Sequence, residues 1–166
     1  MTTKRAVITV AVAMALLITN AALAADTTYG PKGKRFGVGI YAGEPTGFTL
    51  KGYIFEHASI DAVAAWSFVD GGFTFMGDFL YDFVHIPVQT DKITLPFYAG
   101  AGGRFAIAHR GKNDGRNVGG VRIPVGIAVH FTTHPIEIFF EAGPGIDIAP
   151  STSFDMTGGV GARFYF

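Results

Sequence analysis

No cysteine occurs in the 166 residues of this chain, which excludes disulfides, thiolate nucleophiles and Cys-based metal sites. Charge of either sign is also not in surplus: 13 Lys and Arg stand against 13 Asp and Glu. A nucleic-acid partner calls for a basic footprint, and the balance offers none. Past the N-terminal segment there is no helical periodicity, no low-complexity tract and no domain boundary. What the chain has in abundance is glycine and phenylalanine, 23 and 16 residues. Average glycine usage is about 7%, so this is roughly double. Glycine depresses helix, and Phe favours pleated, half-buried surfaces.

The first residues read as an address. Lys4 and Arg5 supply a charged start, 6–18 is an apolar run broken only by Thr9, and Ala22-Leu23-Ala24 gives the small-x-small cleavage pattern. The run is short for a retained membrane helix. The pattern predicts a signal peptide over 1–24 cleaved near Ala24, a flexible polar lead-in over 25–35, and a single domain over 36–166. Removal of Lys4 and Arg5 leaves 11 basic against 13 acidic residues, a net charge of about −2.

From Phe36 onward the dominant signal is period two, which places two different environments on the two faces of each strand. In 136–148 the even positions Ile136, Ile138, Phe140, Ala142, Pro144, Ile146 and Ile148 are all apolar; the odd ones include Glu137, Glu141 and Asp147. The pattern predicts eight strands over 36–42, 48–54, 59–68, 73–85, 95–108, 118–131, 136–148 and 154–166. Turn residues punctuate them, as at Gly43–Gly47, Asp70-Gly71-Gly72, Asn113-Asp114-Gly115 and His134-Pro135. Several segments suit a tilted membrane strand of about 9–11 residues better than a soluble one.

A soluble sheet protein alternates too, so the faces decide. The apolar face is nearly unbroken, as in Phe73, Phe75, Phe79 and Phe83 or Val121, Ile123, Val125, Ile127 and Val129. Its aromatics gather toward strand ends: Trp66, Phe68, Phe73, Phe105 and Phe154 at one rim, Phe55, Phe83, Phe97, Phe131, Phe164 and Phe166 at the other. The second face holds the charges together with many glycines, a poor choice for a solvated strand but a good one inside a narrow barrel. A membrane barrel carries this inversion, apolar outward and polar inward. The expected fold is therefore all-β: an eight-stranded, antiparallel, up-and-down transmembrane β-barrel, a meander that follows a cleaved signal peptide.

The ending Gly161-Ala162-Arg163-Phe164-Tyr165-Phe166 resembles the C-terminal assembly signal of outer-membrane barrels, with Gly161, Phe164 and Phe166 as its marks. Gly159 departs from the polar residue usual two places before that glycine. The stretch 36–166 as a whole resembles the small OmpA-like barrels. Glu44-Pro45-Thr46-Gly47 and Ala65-Trp66-Ser67-Phe68 also resemble a group of predicted outer-membrane barrels of unknown function. The resemblance implies an outer-membrane location in a Gram-negative cell, contact with lipid including lipopolysaccharide, and engagement of the outer-membrane assembly machinery by the last strand. It implies little about activity.

Inward parity groups Lys51, Asp61, Asp78, Asp82, Arg104, Arg122, His130, Glu137, Glu141 and Arg163 into one lumen network. Buried charges need partners. Counting back from the turns sets Lys51 against Asp61, His130 against Glu137, Asp82 near Tyr98, Arg163 diagonally between Glu137 and Glu141, and Arg104 diagonal to Asp78. An eight-stranded interior is just wide enough for side chains, which disfavours a standing water pore. Pro124 and Pro144 fall inside predicted strands, and a bulge or register adjustment is expected at each.

Chemistry is weakly signalled. His130 with Glu137 suits acid–base work but lacks a nucleophile beside it. The apolar face offers no His, Ser and Glu set of the kind a lipid A deacylase needs. The glycine-rich stretches have no phosphate-loop spacing. No cofactor or metal is expected. One loop is basic: His109, Arg110, Lys112 and Arg116 against Asp114, suited to lipopolysaccharide phosphates if it faces outward. The leading expectation is a non-enzymatic barrel with a structural or surface-interaction role. A narrow conduit for small solutes or ions and a lipid-modifying enzyme are the alternatives.

Overall fold

The computed structural model describes residues 29–68, 71–86, 88–107 and 117–166. The segment 1–24 and the loop residues His109, Arg110, Lys112 and Arg116 lie outside them. The alternating stretches form nine strands: β1 (Phe36–Glu44), β2 (Thr46–Tyr53), β3 (Ala58–Ser67), β4 (Gly72–Ile86), β5 (Ile93–Ile107), β6 (Asn117–Arg122), β7 (Val125–Phe131), β8 (Ile136–Ala149) and β9 (Ser153–Tyr165). Each pairs antiparallel with its neighbours, and β1 is bonded to both β2 and β9. The sheet thus closes on itself, which removes free edges.

Strands β6 and β7 occupy one position in the ring, both between β5 and β8. The ring accordingly has the eight staves the alternation predicts, with the stave predicted over 118–131 interrupted at Ile123 and Pro124. The expected bulges at Pro124 and Pro144 are not there. Arg122 pairs with Gly145 and Val125 with Ala142, so the register runs straight through the break. The hydrogen bonds give the reason. Ile123 N–H donates to Pro144 O, and Gly100 N–H donates to Pro124 O, both at 2.9 Å. Each proline keeps its acceptor and lacks only the return donor. The two missing bonds lie in the two ladders that flank Ile123 and Pro124, one toward Pro144 and one toward Gly100, and the strand is interrupted only at those two residues. The register shifts occur elsewhere, between Asp82 and Val84 and between Gly119 and Gly120.

Burial alternates along every long strand, most regularly in β4, where Thr74, Met76, Asp78, Leu80 and Asp82 are buried and Phe73, Phe75, Phe79, Tyr81 and Phe83 are exposed. The sense is inverted relative to a soluble protein. Phe48, Phe68 and Phe154 are more than 70% exposed, while Lys51, Asp61, Glu137, Glu141 and Arg163 are at most 2% exposed.

Inward glycines make room for the large rings. Tyr98 lies opposite Gly126, Phe139 opposite Gly161 and Tyr165 opposite Gly37. At each of these glycines a Cβ would run into the facing ring. One strand's missing side chain is the space into which its neighbour's aromatic folds.

Tyr29 and Phe166 lie at one mouth, here termed proximal, with the turns after β2 and β7 and the end of β4. The opposite end is termed distal. Before β1, Pro31–Gly33 makes a 3-10 turn with Gly30 and Pro31 buried. Gly30 is packed against Tyr53 and Tyr165, where a Cβ would come within 3.0 Å of both rings. Tyr53 N–H donates to Arg35 O at 2.9 Å, and the Arg35 guanidinium lies 3.9 Å from the Tyr29 ring centre. The part of the lead-in from Tyr29 onward thus leans over the proximal mouth.

Candidate functional site: the barrel lumen

The inward side chains build layers along the barrel. Nearest the proximal mouth, Tyr53 donates to Asp82 Oδ2 at 3.1 Å, and His130 Nε2 lies 2.8 Å from Glu137 Oε2. Below them Arg163 donates to Glu137 Oε1 and to Asp61 Oδ2, with Thr49 Oγ1 at 2.8 and 3.0 Å. Its guanidinium also lies 3.8 Å from the Phe139 ring centre. Glu137 is the hub: Tyr165 donates to it at 3.0 Å and Lys51 Nζ lies 3.6 Å away. Lys51 is flanked by the Tyr53 and Tyr98 rings, each 5.0 Å from its nitrogen.

The inward apolar side chains Tyr41, Val63, Ala65, Met76, Leu80, Tyr98, Ala128 and Phe139 form one cluster interleaved with the charges, Asp61 standing directly opposite Asp78. Arg122 donates to Glu141 Oε1, and its Nε lies 3.6 Å from Asp78. Tyr98 donates to the other oxygen of Glu141 at 3.1 Å. Toward the distal mouth, Arg104 pairs with Asp155 at 2.8 Å and Asp147 at 3.4 Å.

All ten sequence-predicted lumen residues face inward, but their partnerships differ in part. Lys51 is opposite Asp61, His130 opposite Glu137 and Asp82 opposite Tyr98, the positions that counting from the turns gives. Arg163 is not between Glu137 and Glu141. It stands directly opposite Glu137 and takes Asp61 as its second carboxylate, while Glu141 belongs to Arg122. Arg104 is diagonal to Asp78 in the ladder but turns to Asp147 and Asp155; Asp78 is served by Arg122. Thr49, Tyr53, Tyr98 and Tyr165 are network members that a search for charge alone passes over. They share the inward parity, which is the signal that finds them.

The marks of the terminal motif are also placed. Gly161 lies under the Phe139 ring. Phe164 and Phe166 are exposed on the outer face. Phe166 N–H donates to Phe36 O at 2.9 Å, and the two rings meet edge-on at 5.3 Å, so the last residue fastens the seam. Among the described residues no group of three or more His, Asp or Glu side chains is placed to hold a metal ion. The His130–Glu137 contact is tied into a saturated hub, an arrangement that fixes groups rather than freeing one for proton transfer.

These features define a small closed antiparallel β-barrel with an apolar exterior and a filled, charged interior. Its fold is similar to that of the N-terminal β-barrel domain of Pseudomonas aeruginosa OprF, with a TM-score of 0.57, 12% identity, and coverage of 80% of this chain and 98% of that one. No protein-family profile matches the chain, and no curated protein does.

Proposed function

We propose that this chain is an integral outer-membrane β-barrel with a structural or surface-interaction role and no catalytic activity. The observation that carries the reading is the inversion of its faces. An outer surface bearing Ile40, Phe79, Ile123, Phe140 and Val160 would drive a soluble protein to aggregate, whereas hydrocarbon suits it. The most exposed rings sit near the rims, Phe48, Phe68 and Phe154 distally and Phe55, Phe83 and Phe166 proximally, which fits aromatic girdles at two interfaces. Among the described residues no helix is long and apolar enough to cross a membrane; in this reading the strands cross. Closure satisfies the backbone groups that lipid leaves unsolvated. The likeness to the OprF barrel domain supports the fold; at this identity the role rests on the surface chemistry.

The close filling of the lumen by buried ion pairs and rings favours a structural lumen over a conduit, because an eight-stranded interior is just wide enough for side chains. In this reading 1–24 directs export, the strand ending in Phe166 engages the assembly machinery, and lipopolysaccharide phosphates meet the basic loop that holds His109, Arg110, Lys112 and Arg116. The test is fractionation with gel mobility. The protein should sediment with outer membranes and migrate differently before and after boiling. Recovery as a soluble periplasmic species without detergent would overturn the reading.

A further inference from the structure

The residues just before β1 carry more structure than a connection to a strand needs. Three backbone bonds close them into a turn: Gly33 N–H to Gly30 O at 2.9 Å, Gly30 N–H to Lys34 O at 3.0 Å and Lys34 N–H to Pro31 O at 3.2 Å. Lys32 is held at φ 56° and ψ 29°, the left-handed region that is costly for a residue with a Cβ. Such a conformation persists where its surroundings over-determine it.

The turn is also docked. Gly30 and Pro31 are buried. Gly30 sits so close to the Tyr53 and Tyr165 rings that a Cβ would lie 3.0 Å from each and 2.7 Å from Lys34 O, so the seat admits only glycine. The bond from Tyr53 N–H to Arg35 O adds one rung beyond the β1–β2 ladder, whose last paired position is Phe36 with Gly52. Beneath the seat, Tyr53 donates to Asp82 and Tyr165 donates to Glu137, and all four side chains are buried. The turn covers the side of the mouth over β1, β2 and β9. On the side of β4, β5 and β7 a cavity of about 760 Å³ remains, lined there by His85, Thr94 and His130.

We infer that residues 29–35 form a strap that stoppers the proximal mouth over Tyr53 and Tyr165 and keeps water from the Glu137 hub on that side. The strap meets the barrel through the Arg35–Tyr53 bond and the packing of Gly30, a small area beside a strand ladder. It therefore lifts at a lower free energy than the barrel unfolds, while the ring of strands stays closed. Lifting it uncovers the two tyrosines without any exchange of partners among the buried ion pairs.

The test uses the protein refolded in a non-ionic detergent and takes two readings. Trypsin should cut the folded parent after Lys32, Lys34 and Arg35 about tenfold or more slowly than a free peptide of the same residues, since cleavage follows the population of the lifted form. Gly30→Val, which cannot seat between the rings, should be cut near the peptide's rate and keep the folded mobility on gels. Gly52→Val, on the outward side of β2 where a Cβ would meet the Phe36 ring at 3.7 Å, should match the parent. Hydroxyl-radical labelling read by mass spectrometry should rise at Tyr53 and Tyr165 in Gly30→Val and stay level at Tyr98, which belongs to the next layer, on Glu141. Cleavage of the parent at the peptide's rate, or equal protection of Tyr53 and Tyr165 in Gly30→Val, would overturn the proposal. So would a rise at Tyr98, the sign of a lumen loosened throughout.

Discussion

The two ends of the lumen hold the same chemistry in different surroundings. Proximally, the Arg163 side chain and its partners Glu137 and Asp61 are at most 2% exposed. Distally, Arg104 and Asp147 keep 9% and 8% exposure and Asp155 keeps 22%. Both are arginines clamped by two carboxylates. Only the first has lost its water, and with it any substitute for a missing partner. The comparison teaches that the count of ion pairs says little about their weight; the weight follows from what solvates a charge once its partner is gone.

Three measurements press on this difference. Arg163→Ala strands two buried carboxylates and should destabilise the barrel by about 3–5 kcal/mol in urea unfolding in lipid or detergent, less where water enters the vacated space. A loss below about 1 kcal/mol would break the comparison at its strong end. A double-mutant cycle between Arg163→Ala and Glu137→Ala should return a coupling of about 0.5–3 kcal/mol, since the two share one hub. Additivity would show that Glu137 is held chiefly by Lys51, His130 and Tyr165. Arg104→Ala should cost about 0–1 kcal/mol, and the cost should shrink further at high salt. An Arg104→Ala loss equal to that of Arg163→Ala would remove the distinction between the two mouths.

Most of the wall was legible in the alternation, since a strand with two different neighbours on its faces must write them at period two. Adjacent pairings such as Lys51 with Asp61 and His130 with Glu137 followed from turn positions. One error is a register shift between touching strands, Arg163 standing opposite Glu137 on β8; the others come from contacts across the lumen. Arg163 on β9 reaches Thr49 on β2 and Asp61 on β3, and Arg104 on β5 reaches Asp147 on β8 and Asp155 on β9. These contacts cross the barrel, and ladder arithmetic covers only strands that touch side by side. The prolines mislead for another reason: each keeps its carbonyl bonded across the ladder, so it costs one hydrogen bond and no shift of register.

The seam between β1 and β9 has a consequence for the order of events in folding. Gly37 pairs with Tyr165, and Phe166 bonds to Phe36, so the first and last strands are each other's neighbours. Those contacts span almost the whole folded chain, the costliest kind of loop to close and the slowest to form. Until they form, β1 and β9 each present a row of unspent hydrogen-bonding groups, an invitation to pair with another chain. Closure is therefore also a quality check: a chain cut short anywhere in β9 keeps an open edge on β1 that no other strand is free to cover.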